Sequence, residues 1–415
     1  MNSQEEAMAQ ESSQTSINIF DPSYAYTSGH HQNLNYSIVN AFEKKSTKTI
    51  IWCGCKIPDS PEIKAIFQDV GYFADRKWWT MPVAIRLANK IKNQMLGSEL
   101  SEKKPRTWLA HSLLPFQLLG FTLFLKSQPQ SNIFISIMFD PSEILGILTK
   151  SEQKRAQSMS AYAWLELSRV CKRKKHNLRL GSASLHTTQR HHNILNQALL
   201  PLPRLHPAFC GAGWQVTTVE ASVNCCNVLL HWGDLKSDKG LQESLFVIKS
   251  LLDGWRPIVP CHFLFHSYSH REFEEKDKRI LEHAQQKLGT LFTWINKYQS
   301  EKQMMALLSK CDIALLAYNQ VAYTHRTSGI LWCYAAARFS IKQSATAIGY
   351  ANNWLESESR AFGMCWVEIN NINDLVAAID DSLRSSTKTS QQWSTYSENI
   401  LKNSYANYIS ELLLN

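Results

Sequence analysis

The feature that most constrains this chain is an alternation of two kinds of segment. Short runs rich in β-branched and aromatic residues recur down the sequence, and between them lie stretches whose apolar residues repeat at helical spacing. In the first half the runs are INIFD (17–21), TIIWCGC (49–55), TWLAH (107–111), NIFISIMFD (132–140) and LRLGSAS (178–184). The second half restarts with NVLLHWG (227–233) and continues through VPCHFLFHS (259–267), TLFTWI (290–295), DIALLAY (312–318) and SATAIGY (344–350). A strand that reaches the next strand through a helix needs a crossover, and crossovers join parallel strands. The pattern therefore predicts an α/β protein made of two doubly wound, Rossmann-like domains facing across a cleft.

At 415 residues the chain exceeds what one ordinary core accommodates, which agrees with two domains. The alternation lapses at LPLPRLHPAFCGAG (200–213), where three prolines and two glycines stop helices and central strands alike. The expected division is a solvated tail over 1–16, a first domain over 17–200, a linker over 201–220, a second domain over 221–390 and a helical segment over 391–415. The tail is rich in Ser, Gln and Glu and lacks the basic start and apolar stretch of a signal peptide, so a cytoplasmic location is expected. The longest apolar stretch, LLPFQLLGFTLFL (113–125), is broken by Pro115, Gln117 and Gly120. It falls short of the ~20 residues a spanning helix needs and reads as buried core. In the second half, Leu241, Leu245, Ile248, Leu251 and Leu252 form one helix face, and Ser300 stands where it can cap the helix that follows it.

The formal net charge of +9 has no single source, and CKRKKHNLR (171–179) is its densest run. The plain reading is a solvated helix end; the alternative is an anionic partner such as a nucleotide, a lipid phosphate or a membrane surface met peripherally. No aromatic-basic motif or reader fold points to nucleic acid. The ten cysteines are irregularly spaced without a Cys-x-x-Cys pair, which suits reduced, buried thiols and gives no zinc signature.

Two stretches carry the chemistry. In HWGDLKSDKGLQESL (231–245) an apolar strand breaks at Gly233, a charged loop follows, and Gly240 opens a helix. In open parallel sheets, ligands sit at the carboxyl ends of strands, where helix N-termini present free N–H groups and partial positive charge. Gly233 would let backbone approach a phosphate, Lys236 and Lys239 would reach its oxygens, and Gly240 would let the helix start close by. An ordinary surface turn has the same composition, and neither the P-loop spacing nor GxGxxG is present. The second stretch, CDIALLAYNQVAYTHRTSGILWCYAAARFSI (311–341), carries Tyr323, His325, Arg326 and Thr327 in a loop before Ser328-Gly329 opens a helix. Its plain reading is a normal cap, yet Gly, two hydroxyls and an Arg at a helix start also make an anion site.

Taken in succession, GDLKSDKG, CDIALLAY and YTHRTSGILWCYAAARFSI resemble the C-terminal domain of GT-B glycosyltransferases of the retaining, nucleotide-sugar-dependent group 1 kind. DPSYAYTSGHHQNLNYSI near the start is similar to the Gly-His loop after the first strand of that fold. The resemblance implies transfer of a sugar from a nucleoside diphosphate to a glycan, lipid or other acceptor. It implies that Gly233, Lys236, Lys239 and Gly240, with Arg326, Thr327, Ser328 and Gly329, meet the donor diphosphate, Lys236 and Arg326 acting in catalysis. Ser28, Gly29, His30 and His31 then fall on the acceptor side. Retention of configuration follows from the same resemblance and demands no dedicated protein base. The nucleotide sugar is a substrate, so no cofactor is expected, and no Asp-x-Asp pair calls for a metal. The sequence departs from the family at three positions: Asp234 follows Gly233 where the family has Arg, and Thr327 and Tyr334 stand where it has two glutamates. These departures support the alternative of a non-catalytic GT-B-like binding or assembly protein.

The remaining polar and aromatic clusters have plainer readings. His30-His31 and His191-His192 are adjacent pairs whose side chains diverge on a helix or strand, which argues against a metal held by either pair. Trp78-Trp79 reads as packing in preference to a sugar-stacking platform, and Glu356 and Glu358 are candidates for hydrogen bonds to donor hydroxyls.

Overall fold

The computed structural model describes residues 16–25, 30–71, 74–75, 77–111, 113–137, 150–182, 185–202, 225–233, 235, 237–268, 274–324, 327–341, 343–384 and 405–414. The chain divides into two compact units, Met1–Gly211 with Lys402–Asn415, and Ala212–Leu401.

Unit 1 is built on a seven-stranded parallel sheet ordered β3-β2-β1-β4-β5-β6-β7. Its strands are β1 (Ile17–Asp21), β2 (Thr49–Gly54), β3 (Ile63–Phe67), β4 (Thr107–His111), β5 (Asn132–Ser136), β6 (Asn177–Ser182) and β7 (Leu200–Pro201). Every residue of β1 and β4 is buried, as expected of central strands covered on both faces. The crossovers are α1 (His30–Glu43), α2 (Met81–Leu96), α3 (Pro115–Leu125), α4 (Lys150–Lys174) and α5 (Leu185–Leu195). The apolar stretch at 113–125 becomes α3, which packs against both α2 and α4 and is buried nearly all round. Among the described residues no helix is long and apolar enough to cross a membrane. The basic run at 171–179 closes α4, where Lys172, Arg173 and Lys174 complement the negative helix end.

Unit 2 holds a six-stranded parallel sheet ordered β10-β9-β8-β11-β12-β13. The strands are β8 (Cys226–Gly233), β9 (Cys261–Ser267), β10 (Phe292–Ile295), β11 (Ile313–Leu315), β12 (Thr346–Tyr350) and β13 (Cys365–Ile369). Its helices are α6 (Leu241–Leu252), α7 (Glu275–Lys287), α8 (Glu301–Leu308), the single turn α9 (Gln320–Tyr323), α10 (Gly329–Ser340), α11 (Trp354–Phe362) and α12 (Leu375–Arg384). Leu241, Leu245, Ile248 and Leu251 of α6 enter the core, while Leu252 lies at its margin. Ser300 caps α8 with a reciprocal box: its hydroxyl accepts the Gln303 N–H at 3.3 Å, and the Gln303 side chain accepts the Ser300 N–H at 2.9 Å. The last helix, α13 (Tyr405–Leu414), belongs to unit 1, where it packs on α1 and accepts a 2.9 Å bond from Arg179 at the Leu412 carbonyl.

Four details differ from the sequence reading. β3, β13 and the two-residue β7 had no distinct signal, because short edge strands lack a long apolar run. DIALLAY is strand only over Ile313–Leu315. Tyr323 lies on α9, 1% exposed against Tyr318, so it is packing and not part of an open loop. α1 starts at His30, which puts His30 and His31 in a first helical turn instead of a loop.

Candidate functional site

A doubly wound sheet binds at the point where strand order reverses, outside the carboxyl ends of the two strands that flank the reversal. In unit 2 those strands are β8 and β11, and the two stretches singled out in the sequence follow them. Gly233 ends β8 with φ at +100°. The turn Ser237–Lys239 brings Lys239 back, and its Nζ comes within 4.0 Å of where a Cβ on Gly233 would lie. Gly240 has φ at +70°, and a Cβ there would stand 2.8 Å from the Ala317 carbonyl oxygen, so only glycine lets this loop seat against the end of β11. The Asn319 N–H donates to the Asp238 carbonyl at 3.0 Å and ties the same two segments. Asp234, Lys236, His325 and Arg326 lie outside the described residues.

Helix α10 starts at the same carboxyl edge. Ser328 is its buried N-cap in extended conformation, but its hydroxyl makes no capping bond, so it leaves the first-turn N–H groups of Gly329 onward to other partners. Thr327 is engaged by protein: its hydroxyl donates to Glu358 Oε2 at 2.5 Å and accepts from Trp332 Nε1 at 2.9 Å. Glu358, on α11, is 4% exposed and thus places a carboxylate against the start of α10. Glu356 does something else, bonding the Asn352 N–H at 2.8 Å and Arg360 at 3.0 Å at the helix surface. Tyr334 is fully buried, its hydroxyl 2.7 Å from the Asp312 carbonyl, and serves the core.

In unit 1 the order reverses between β1 and β4. The register pairs Phe20 with Ala110, so the next residues, Asp21 and His111, meet at the carboxyl ends of adjacent strands. Asp21 is 1% exposed. Its Oδ2 lies 2.9 Å from His31 Nδ1, accepts a 2.8 Å bond from Asn35 Nδ2 and lies 3.6 Å from His111 Nε2. Its Oδ1 accepts the Tyr24 N–H at 3.1 Å. The Asn35 Oδ1 is 2.8 Å from His111 Nε2 and fixes the amide between the two side chains. Burial by itself pushes the Asp21 carboxyl up, but attraction to His31 and His111 and the bonds from His31 and Asn35 together hold it well below the usual carboxylate range. Burial pushes the His111 imidazole down to about 4, with Asp21 offsetting part of the effect.

This network had no sequence signal, since its members come from three elements; only His31 was singled out. Asp21, His31 and His111 are also the described residues close enough to share a cation, their ligand-type atoms lying within 4.8 Å of one another. The hydrogen bonds oppose that use. The amide oxygen of Asn35 only accepts, so His111 Nε2 carries a proton and offers no lone pair. Ser28 and Gly29 lie outside the described residues, and His30 is placed only as the first residue of α1. Of the other pair, His191 is buried on Thr187 and His192 is exposed, pointing apart as their adjacency requires. Trp78 is 4% exposed in the core and Trp79 packs against it, as read from the sequence.

No family model matches the sequence, and no curated protein matches it. Solved structures do match over nearly the whole chain. A UDP-forming α,α-trehalose-phosphate synthase from Burkholderia xenovorans, in complex with glucose-6-phosphate, is 11% identical with a TM-score of 0.59, covering 97% of this chain and 100% of that one. The chain has the GT-B fold. The trehalose-6-phosphate phosphatase N-terminal domain of Candida albicans gives a TM-score of 0.57 at 14% identity, covering 97% of this chain and 96% of that one. An E. coli trehalose-6-phosphate protein bound with UDP-2-fluoro glucose gives 0.55 at 13% identity, over 96% and 98%. Identities this low leave the GT-B frame as what is shared; the residues at the two crevices are this chain's own.

Proposed function

We propose that this GT-B chain is a glycosyltransferase that moves a sugar from a nucleoside-diphosphate donor, a UDP-sugar by analogy with its structural neighbours, to a glycan, lipid-linked or other hydroxyl acceptor. The observation that carries the reading is the crevice of unit 2, where a loop with glycines at φ +100° and +70° and the start of α10 meet at the point of strand reversal. Gly233, Lys236, Lys239 and Gly240 are assigned to one side of the proposed diphosphate site; Arg326, Ser328, Gly329 and the backbone of Thr327, whose hydroxyl is held by Glu358 and Trp332, are assigned to the other. As the bond to the sugar breaks, negative charge grows on the departing diphosphate. Lys236, Lys239, Arg326 and the positive end of α10 lower the energy of that state, each by on the order of a few kcal/mol. The proposal includes retention of configuration and needs neither a resident cofactor nor a metal, the cationic side chains supplying the neutralisation. Glu358, whose carboxylate accepts the Thr327 hydroxyl beside the start of α10, is assigned to donor hydroxyls. Unit 1, with Gly29, His30 and His31, is assigned the acceptor.

The test is a thermal-shift and calorimetric screen with UDP-, GDP- and TDP-sugars, followed by transfer assays with sugar acceptors. A ligand bound by the folded state alone raises the melting temperature by mass action. Replacing Lys236, Lys239 or Arg326 by Ala should weaken the nucleotide that binds by roughly ten- to a hundredfold, the loss of one charge-assisted contact. Unchanged affinity in all three variants removes the assigned site, and binding without transfer or donor hydrolysis supports the non-catalytic alternative.

A further inference from the structure

We infer that Cys226 and Cys261 form a reversible oxidation site, at which a hydroperoxide converts the two thiols to a disulfide across the amino ends of β8 and β9. These ends are opposite to the carboxyl ends that form the crevice of unit 2, so the inference is independent of the proposed function.

Cys226 opens β8, Cys261 opens β9, and the parallel register sets them directly opposite one another. Side chains at paired positions of neighbouring parallel strands leave the sheet on the same face. Val228 and Phe263, two residues further along each strand, are the next such pair, and all four belong to or pack against the same apolar cluster. The two thiols are in hydrogen-bond contact. Cys225 precedes the strand, and its Sγ donates to the Cys226 carbonyl at 3.7 Å.

Adjacent strands lie about 4.8 Å apart, inside the Cα separation of roughly 4.4–6.8 Å that a disulfide spans. Nearly parallel Cα–Cβ bonds keep the Cβ atoms at a similar spacing, whereas a relaxed disulfide holds them about 3.8 Å apart. The bond therefore forms by drawing the strand ends together, and a disulfide under that strain is readily reduced. This favours a reversible site over a permanent staple. Cys261 is 5% exposed and Cys226 half-buried, which selects a small oxidant over a protein disulfide.

The hydrogen bond from Cys226 holds the Cys261 thiol below its ordinary range, against burial and the carboxylates of Asp380 and Asp312. The same bond, with burial and Asp312, pushes Cys226 up. Cys261 is thus the nucleophile and Cys226 keeps its proton. The Cys261 thiolate attacks one oxygen of the hydroperoxide and the O–O bond breaks. The departing alkoxide or hydroxide takes up the proton that Cys261 had released to solvent, and Cys261 becomes a sulfenic acid. The Cys226 sulfur then attacks the Cys261 sulfur, the S–O bond breaks, and hydroxide leaves with the Cys226 proton as water. Two thiols have given two electrons to one hydroperoxide.

The test treats the reduced full chain with hydrogen peroxide, quenches it with an alkylating agent and maps the peptides by mass spectrometry, with exposed Cys55 as the reference. A Cys226–Cys261 linkage should appear roughly tenfold faster than Cys55 is oxidised, and dithiothreitol should remove it. This measurement needs no variant. Cys226→Ser should leave Cys261 as a sulfenic acid, trapped as its dimedone adduct, while Cys225→Ser should form the linkage as the wild type does. Cys261→Ser should slow oxidation of Cys226 by roughly tenfold. Thermal unfolding of each reduced variant establishes that it is folded. Oxidation of Cys55 with Cys226 and Cys261 still reduced overturns the inference, as does a linkage made through Cys225 in place of Cys226.

Discussion

His111 should make unit 1 acid-labile well above the pH at which carboxylates protonate. Its imidazole has a folded pKa of about 4 against 6.5 for the free side chain, and it is completely buried. Between those values the unfolded chain binds a proton that the folded chain refuses, so stability falls as pH falls from 6.5 toward 4 and this contribution then levels off. A span of about 2.5 units at about 1.36 kcal/mol each amounts to ~3 kcal/mol, a substantial part of an ordinary domain's stability. Asp21 extends the trend: its folded pKa is depressed, so its stabilisation is complete above the free value of 3.8 and is lost as pH falls below it. His176, also lowered by burial, acts with the same sign in the same unit, so the decisive quantity is a difference between variants. His111→Gln keeps an N–H donor for Asn35 but has nothing to titrate. The assay is urea unfolding from about pH 7 to about 4, read by hydrogen exchange of peptides spanning β1 and β4. The wild type should lose ~3 kcal/mol more than His111→Gln across the window, and parallel pH profiles would refute the reasoning.

Two further predictions concern unit 2. Gly240→Ala forces an L side chain to φ +70° with its Cβ 2.8 Å from the Ala317 oxygen, so urea unfolding should show a loss of about 2–3 kcal/mol and calorimetry at least tenfold weaker nucleotide binding. Arg338→Met, at the other end of α10 from Gly329, removes the 3.0 Å ion pair with Asp312 and strips donors from the Ser309 and Ser344 carbonyls. It should lower unfolding stability by about 3 kcal/mol while leaving nucleotide affinity unchanged in the protein that remains folded.

The backbone of the loop after β8 was legible in the sequence because local backbone demands are written in residue type. A strand that must break and a helix that must start against another strand leave glycines at Gly233 and Gly240, and both have the positive φ that makes glycine necessary. Helix and strand alternation was legible for the same reason, period by period. Glu358 was visible only as one of two neighbouring glutamates, and nothing local says that it is the one buried on Thr327. The start of α1 was misjudged by a few residues, since His30 and His31 carry no capping signal.

The sequence by itself determined that the chain alternates strands with helices, that it must therefore build parallel sheets in two halves, and that one loop required glycine at both ends. Tertiary structure alone decided that α13 returns to pack on α1, and that Asp21, His31, Asn35 and His111 form one network. The reason is range: periodicity and turn chemistry act over a few residues, whereas the meeting of Asp21 and His111 depends on which strands pair and in what register. That pairing is set by burying whole helix and sheet faces together, so no short motif records it.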